Sequence, residues 1–174
     1  MIRQVNVFDY AERIAKSFNP GILLTTACED KVNTMTIGWG QLGIIWSKPV
    51  FTVLVRESRF TKEYLDKTGE FTVNIPLAPV DKNIIAVCGT KSGRDTDKFA
   101  QLNLTAVPGQ TVAVPGIKEL PLTVECKVIY RQEQDPAAID PDCYNRFYAK
   151  GTHNENDHHT VYYGEITGAY IIEE

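Results

Sequence analysis

Residues 50–76 read VFTVLVRESRFTKEYLDKTGEFTVNIP, and the order of chemistries along them decides the architecture. Val50-Phe51-Thr52-Val53-Leu54-Val55 is β-branched and apolar on both faces, which predicts a strand inside a sheet. The pattern breaks at Arg56. Phe60/Tyr64 and Thr61/Leu65 then recur at helical spacing, Ser58 stands where it can cap, and Gly69 stands where a helix wants its left-handed stop. Glu70-Phe71-Thr72-Val73-Asn74-Ile75 is another strand, ended by Pro76.

Toward the N-terminus, Ile22–Cys28 and Val32–Trp39 flank the polar turn Glu29-Asp30-Lys31 and predict a hairpin. In the second run Met35/Ile37 alternate with Thr34/Thr36, as in a strand buried on one face. Residues 1–18 read as a mildly amphipathic helical arm, broken by Asn19-Pro20-Gly21. Toward the C-terminus, short helices are expected over Asp81–Val87 and Asp97–Leu102, with a loop from Cys88 to Gly93 between them. Leu120–Gln132 is a long β-run, Tyr144–Lys150 another candidate strand, and Thr160–Ile172 closes the chain. Residues 135–142 and 151–157 have loop composition. Strands joined mostly by short turns, with small helices interposed, predict a mainly β fold: an antiparallel barrel with helical insertions, one domain over 1–174. Regular βαβ alternation is missing.

The chain has 174 residues, 43 % hydrophobic and 23 % charged, with a formal net charge of -4. This is the composition of an ordinary folded domain. The acidic balance gives no general reason to bind nucleic acid. No apolar run is long enough for a membrane span or a signal peptide, so a cytoplasmic protein is expected. The four cysteines form no CxxC pair and read as reduced thiols, small core hydrophobes rather than catalysts.

Three motifs are decoys. Gly38-Trp39-Gly40-Gln41-Leu42-Gly43 spells GxGxxG, but Ile44–Pro49 cannot open the helix that a dinucleotide site needs, and a strand running into a glycine-rich loop is expected instead. Gly89-Thr90-Lys91-Ser92-Gly93 lacks the order of a nucleotide-triphosphate loop. His153, His158 and His159 lack metal-site spacing, and adjacent strand histidines point to opposite faces.

Three other segments carry chemistry. Asn33, Thr34 and Thr36 are small hydrogen-bonding side chains on a strand that leads to the aromatic plane of Trp39. Arg56, Ser58, Arg59 and Thr61 precede a helix, whose N-terminus favours an anion. Lys91, Ser92, Arg94 and Lys98 crowd the stretch from Cys88 to Phe99, a density of donors unusual in an acidic chain, partly offset by Asp95 and Asp97. Together they offer an anion clamp, a polar tether and a slot for a ring. No acid–base pair or nucleophile stands out.

NTMTIGWG (33–40), VRESRFTKEYLDKTGEFTVNIP (55–76), CGTKSGRDTDKF (88–99), ECKV (125–128) and HHTVYYGEI (158–166), in that order, resemble the flavin reductase-like proteins with an FMN-binding split barrel, especially the flavoredoxin-like branch. The resemblance implies a Greek-key antiparallel split β-barrel with short helical insertions, non-covalent FMN, and a homodimer with the flavin near the interface. It implies flavin or ribityl contacts from Asn33, Thr34, Met35, Thr36 and Trp39, and a phosphate site near Arg56, Ser58 and Thr61. It adds a further wall from Gly89, Lys91 and Ser92, with Lys98 beside it, and a ring contact from His159. Glu57 replaces an expected proline and sets a negative charge beside the phosphate site; Phe60 replaces an expected tyrosine. The implied activity is an oxidoreductase in which NADH or NADPH reduces the flavin, which passes electrons to free flavin or another acceptor. Two alternatives stand beside it: an electron-transfer flavoprotein reduced by a redox partner protein, and a non-catalytic barrel for a phosphorylated ligand.

Overall fold

The computed structural model describes residues 1–173. Its centre follows the opening stretch closely. Strand β5 covers Lys48–Arg56, helix α2 Phe60–Thr68, and strand β6 Glu70–Ile75. Gly69 ends α2 at φ 65°, its N–H bonded to the Leu65 carbonyl, so the next strand starts without a loop.

The other strands are β1 (Ile2–Gln4), β2 (Ile22–Cys28), β3 (Lys31–Ile37), β4 (Gly40–Ile45), β7 (Ala106–Val107), β8 (Gly116–Ile117), β9 (Leu122–Glu133) and β10 (His159–Ile172). The other helices are α1 (Ala11–Ser17), α3 (Lys82–Thr90), α4 (Lys98–Leu102) and α5 (Pro141–Phe147). The main sheet runs β3-β2-β6-β9-β10-β5-β4, and β1 joins the far end of β10. Every pairing is antiparallel. Strands β3 and β4 lie at opposite ends of this order, yet only Gly38 and Trp39 separate them. Three Cα steps reach at most about 11 Å. The two ends of the sheet must therefore approach each other, and the sheet curls into a barrel.

Phe51, Val53, Val55, Leu24, Phe71, Val73, Ile75, Val124 and Tyr162 belong to the main core. The alternate residues Thr25, Thr72, Asn74, Thr123 and Glu125 would face water in a simple half-buried sheet. Here they are fully buried. The segment between β7 and β9 covers them: Thr72 donates to the Pro115 carbonyl at 2.8 Å, Ile117 N–H donates to Asn74 Oδ1 at 2.9 Å, and Gln110 and Thr111 N–H both donate to the Glu125 carboxylate at 2.7 Å. The polar set is bonded, as burial requires.

Five expectations need correction. Helix α3 continues through Thr90, so Cys88, Gly89 and Thr90 are helical and the loop begins only at Lys91. Tyr144–Lys150 is not a strand. Asp140 caps α5 through the Asp142 and Cys143 N–H groups and Pro141 opens the helix, so Asp-Pro was a helix start inside a stretch assigned to loop. From Gly40 on, the GxGxxG stretch is strand β4 rather than a loop, and Trp46 and Ser47, at φ 51° and 58°, turn it back into β5. The N-terminal arm is a strand, a 3-10 turn and a single short helix rather than one helical run. Ser58 does not cap α2: Arg59 holds that position and no side chain caps the helix.

Candidate functional site

Strand β3, the start of α2 and the loop after α3 converge on two cavities that share Met35 and Arg59 as lining residues. The first, about 130 Å³, is lined by Asn33, Thr61, Lys91, Ser92, Arg94 and Lys98, among others. The uncapped first turn of α2 leaves N–H groups available beside it, a favourable arrangement for an anion. Asn33 donates to Thr61 Oγ1 at 2.7 Å and ties strand to helix. Gly93 passes directly over Asn33: a Cβ there would lie 2.2 Å from Asn33 Oδ1, so only glycine allows the loop this close. Arg94 donates to the Ser58 carbonyl, pairs with Glu63 and lies 5.4 Å over the Phe60 ring.

Lys98 is 4 % exposed. Its ammonium donates to the Thr34 carbonyl at 2.7 Å and has no carboxylate within ion-pair distance among the described residues. Burial lowers its pKa, and the Cys88 thiol beside it is pushed up to about 11, also chiefly by burial. The thiol therefore stays neutral and does not balance the ammonium.

The second cavity, about 170 Å³, is lined by Thr36, Trp39, Leu54, Arg56 and His159 besides the shared pair. Arg56 lies between the rings of Trp39 (5.8 Å) and Tyr148 (5.5 Å). The His159 ring is 4.9 Å from Trp39, and its Nδ1 is 2.7 Å from the Tyr148 hydroxyl. Phe147 meets Trp39 edge-on at 5.0 Å. Burial, then the Arg56 charge, drives the His159 pKa down to about 4, from an ordinary 6.5. The imidazole is neutral at ordinary pH. Because the unfolded histidine takes up its proton first, stability should fall as pH drops from about 6.5 toward about 4, by up to about 3 kcal/mol. Denaturant unfolding across this range should show that slope in the wild type, and His159→Gln should flatten it.

One loop residue rearranges the expected anion seat. The Asp157 carboxylate accepts from the Ser58 N–H at 3.0 Å and from the Ser58 hydroxyl at 2.6 Å, and the Asp157 carbonyl accepts from Arg56 at 2.8 Å. These donors are already engaged within the chain. Glu57 turns away, accepting from Thr160 at 2.5 Å and pairing with Lys62 at 3.4 Å, and it lines neither cavity.

Of the residues singled out in the sequence, Asn33, Met35, Ser58, Thr61, Lys91, Ser92 and Lys98 line the first cavity, and Met35, Thr36, Trp39, Arg56 and His159 the second. Thr34 and Gly89 line neither. The Thr34 hydroxyl is engaged with Thr25 and the Leu24 carbonyl, so its side chain does not reach the site expected of it. Gly89 contributes its carbonyl, which accepts from Arg59 at 3.3 Å. Arg59 and Arg94, part of the anion clamp expected from the sequence, line the first cavity, whereas Phe147, Tyr148 and Asp157 are not among the expected contacts. The aromatics went unseen because their segment was read as a strand, and Asp157 because it looked like a turn former.

Among the described residues, no group of three or more His, Cys, Asp or Glu is placed to hold a metal ion, and no helix is long and apolar enough to cross a membrane. The four cysteines are free.

Residues 15–174 match the family model described as the flavin reductase like domain, and the chain belongs to that family. An uncharacterized protein of Archaeoglobus fulgidus is 34 % identical over 104 residues, 60 % of this chain and 58 % of its own length. The match thus spans less than two thirds of that relative. Flavoredoxin of Desulfovibrio vulgaris (Miyazaki F) is 27 % identical, with a TM-score of 0.63 covering 88 % of this chain and 69 % of that one. An NADH:FAD oxidoreductase of Streptomyces globisporus C-1027 shares the fold at 17 % identity and a TM-score of 0.64, covering 87 % and 74 %. The architecture is the antiparallel split barrel of this family, with short helices added.

Proposed function

We propose that the chain binds FMN, with the phosphate in the first cavity and the isoalloxazine ring in the second, and works as an NAD(P)H-dependent flavin reductase. The observation that carries the reading is Lys98: a buried lysine whose ammonium has no acidic partner among the described residues, at a cavity whose other cations are Arg59, Lys91 and Arg94. A buried charge without a counter-charge is costly, and a phosphate dianion would remove the cost. Ser92 and the open N–H groups of α2 add neutral donors. Asn33 and Thr61 give the first cavity polar groups for a polyhydroxyl chain, and Met35 and Arg59, which line both cavities, mark the passage to the second. Trp39 and His159 flank the second cavity with flat surfaces, and Arg56 and Arg59 make it positive.

When bound, FMN supplies the hydride chemistry. The chain's own contribution is binding and electrostatics. Two guanidinium groups favour added negative charge on the ring, and the neutral His159 adds a polar contact without a further charge. The reading includes a homodimer with the flavin near the interface, since Trp39 remains 37 % exposed beside the second cavity.

A second reading, a flavoredoxin-like electron carrier reduced by a redox partner protein, is favoured by the 27 % identity to a flavoredoxin. One experiment separates the two. Purified protein loaded with FMN is kept free of oxygen and mixed with NADH or NADPH. Bleaching of the visible band is expected for a reductase. Bleaching by a reduced ferredoxin alone supports the carrier, and a chain that takes up no FMN contradicts both.

A further inference from the structure

A third cavity, about 570 Å³, lies between the last turn of α1 and one side of α3. It is larger than either cavity of the proposed flavin site and falls within the range of small-molecule pockets. Its walls are mainly apolar, from Leu77, Val80, Ile85 and three prolines, Pro20, Pro76 and Pro79. Proline has no N–H, so much of the wall offers no amide donor. Such a surface favours an apolar body over a sugar or a nucleotide.

The charged side chains that line it are all cationic: Arg13, Lys16 and Lys82. Lys16 pairs with Glu12. Arg13 uses one N–H on the Leu77 carbonyl at 3.1 Å, which pins the guanidinium across the segment after β6 and leaves its other donors unassigned. Among the described residues Arg13 and Lys82 make no ion pair. The neighbouring Asp81 carboxylate caps α3 through Asn83 N–H at 2.9 Å and does not line the cavity. A cationic ligand would meet like charge, and a neutral one would leave both free cations unused.

We propose that this cavity binds a small amphipathic anion, an apolar body carrying one carboxylate or sulfonate that pairs with Arg13 and Lys82. The apolar body sits against Leu77, Val80 and Ile85. The site is separate from the flavin cavities, with which it shares no lining residue.

The test uses 1-anilinonaphthalene-8-sulfonate, an anionic apolar dye whose emission rises on burial, with the full chain held at saturating FMN. One saturable dye per chain is expected. The neutral analogue N-phenyl-1-naphthylamine should bind about tenfold more weakly, as should the dye to the double variant Arg13→Gln/Lys82→Gln, because two ion pairs are lost. Ala86→Trp, at an exposed position on α3 that lines the cavity, should abolish binding while leaving the thermal melt in place. Equal dye affinity in the double variant would overturn the proposal. So would dye binding that is seen without FMN and lost at saturating FMN, sedimentation showing that a second copy covers this face, or an acidic peptide that displaces the dye at lower concentration than the dye itself needs to bind. The FMN titration alone reads the flavin site, so failure there leaves the dye result interpretable.

Discussion

Lys98→Met is expected to weaken FMN binding about a hundredfold while leaving the protein as stable as before, or more stable. The two effects have one cause. In the wild type Lys98 is 4 % exposed, and its ammonium faces no carboxylate within ion-pair distance among the described residues. Methionine has nearly the same length and removes the charge, so folding no longer carries that desolvation cost. The one bond lost is to the Thr34 carbonyl. A bound phosphate, in contrast, loses a charge-assisted hydrogen bond in a site shielded from water, worth about 1.5–3 kcal/mol. Fluorescence titration with FMN and urea unfolding, run on the same two proteins, check both halves. If affinity and stability fall together, Lys98 is structural. If affinity is unchanged, the phosphate lies elsewhere.

Phe71→Ala should cost about 3–5 kcal/mol, the largest single loss of stability expected from the fold. Phe71 is fully buried in the main core. Its ring fills the space left by Gly164 on β10, where an added Cβ would lie 2.4 Å from the ring tip. Ring and glycine are complementary: β10 carries a register shift between Tyr163 and Gly164, and the bare backbone there admits the ring. Truncating the ring opens a cavity that Gly164 has no side chain to fill. Urea unfolding would measure the loss; a change below about 1 kcal/mol would mean that the neighbouring strands collapse into the space. A folded domain has typically only about 5–15 kcal/mol of net stability, so this variant should be close to unfolding at elevated temperature.

The fold was legible where periodicity and punctuation agreed. Val50–Val55 fits an interior strand, and Gly69 marks the helix end at its own position. Periodicity alone does not report exposure. Thr72 and Asn74 alternate with Phe71 and Val73 as in a half-wet strand, yet both faces are buried, because a distant segment supplies the second cover through Pro115 and Ile117. Nothing local signals that cover. Trp46-Ser47 makes a tight hairpin turn without the glycine or asparagine that usually announces one.

The site was legible as a set of segments and less so as a set of contacts. Arg56 and Ser58 stand in a stretch that reads as a phosphate clamp, but Asp157, about a hundred positions later, already engages both Ser58 donors and one Arg56 N–H. A single carboxylate in a polar loop carries no sequence signal of its own. Its effect is to shift the expected phosphate ligands toward Arg59, Lys91, Ser92, Arg94 and Lys98. Phe147 and Tyr148 were hidden for another reason: α5 is a short helix whose start, Asp140-Pro141, lies in a stretch assigned to loop.

The central claim is that this chain recognises a flavin by its phosphate. Parallel titrations of the purified chain with FMN and with riboflavin, which lacks only that phosphate, test it most directly. The account predicts one FMN per chain, with its fluorescence quenched, and riboflavin bound about a hundredfold more weakly. Equal affinity for the two, or no binding of either, would contradict it.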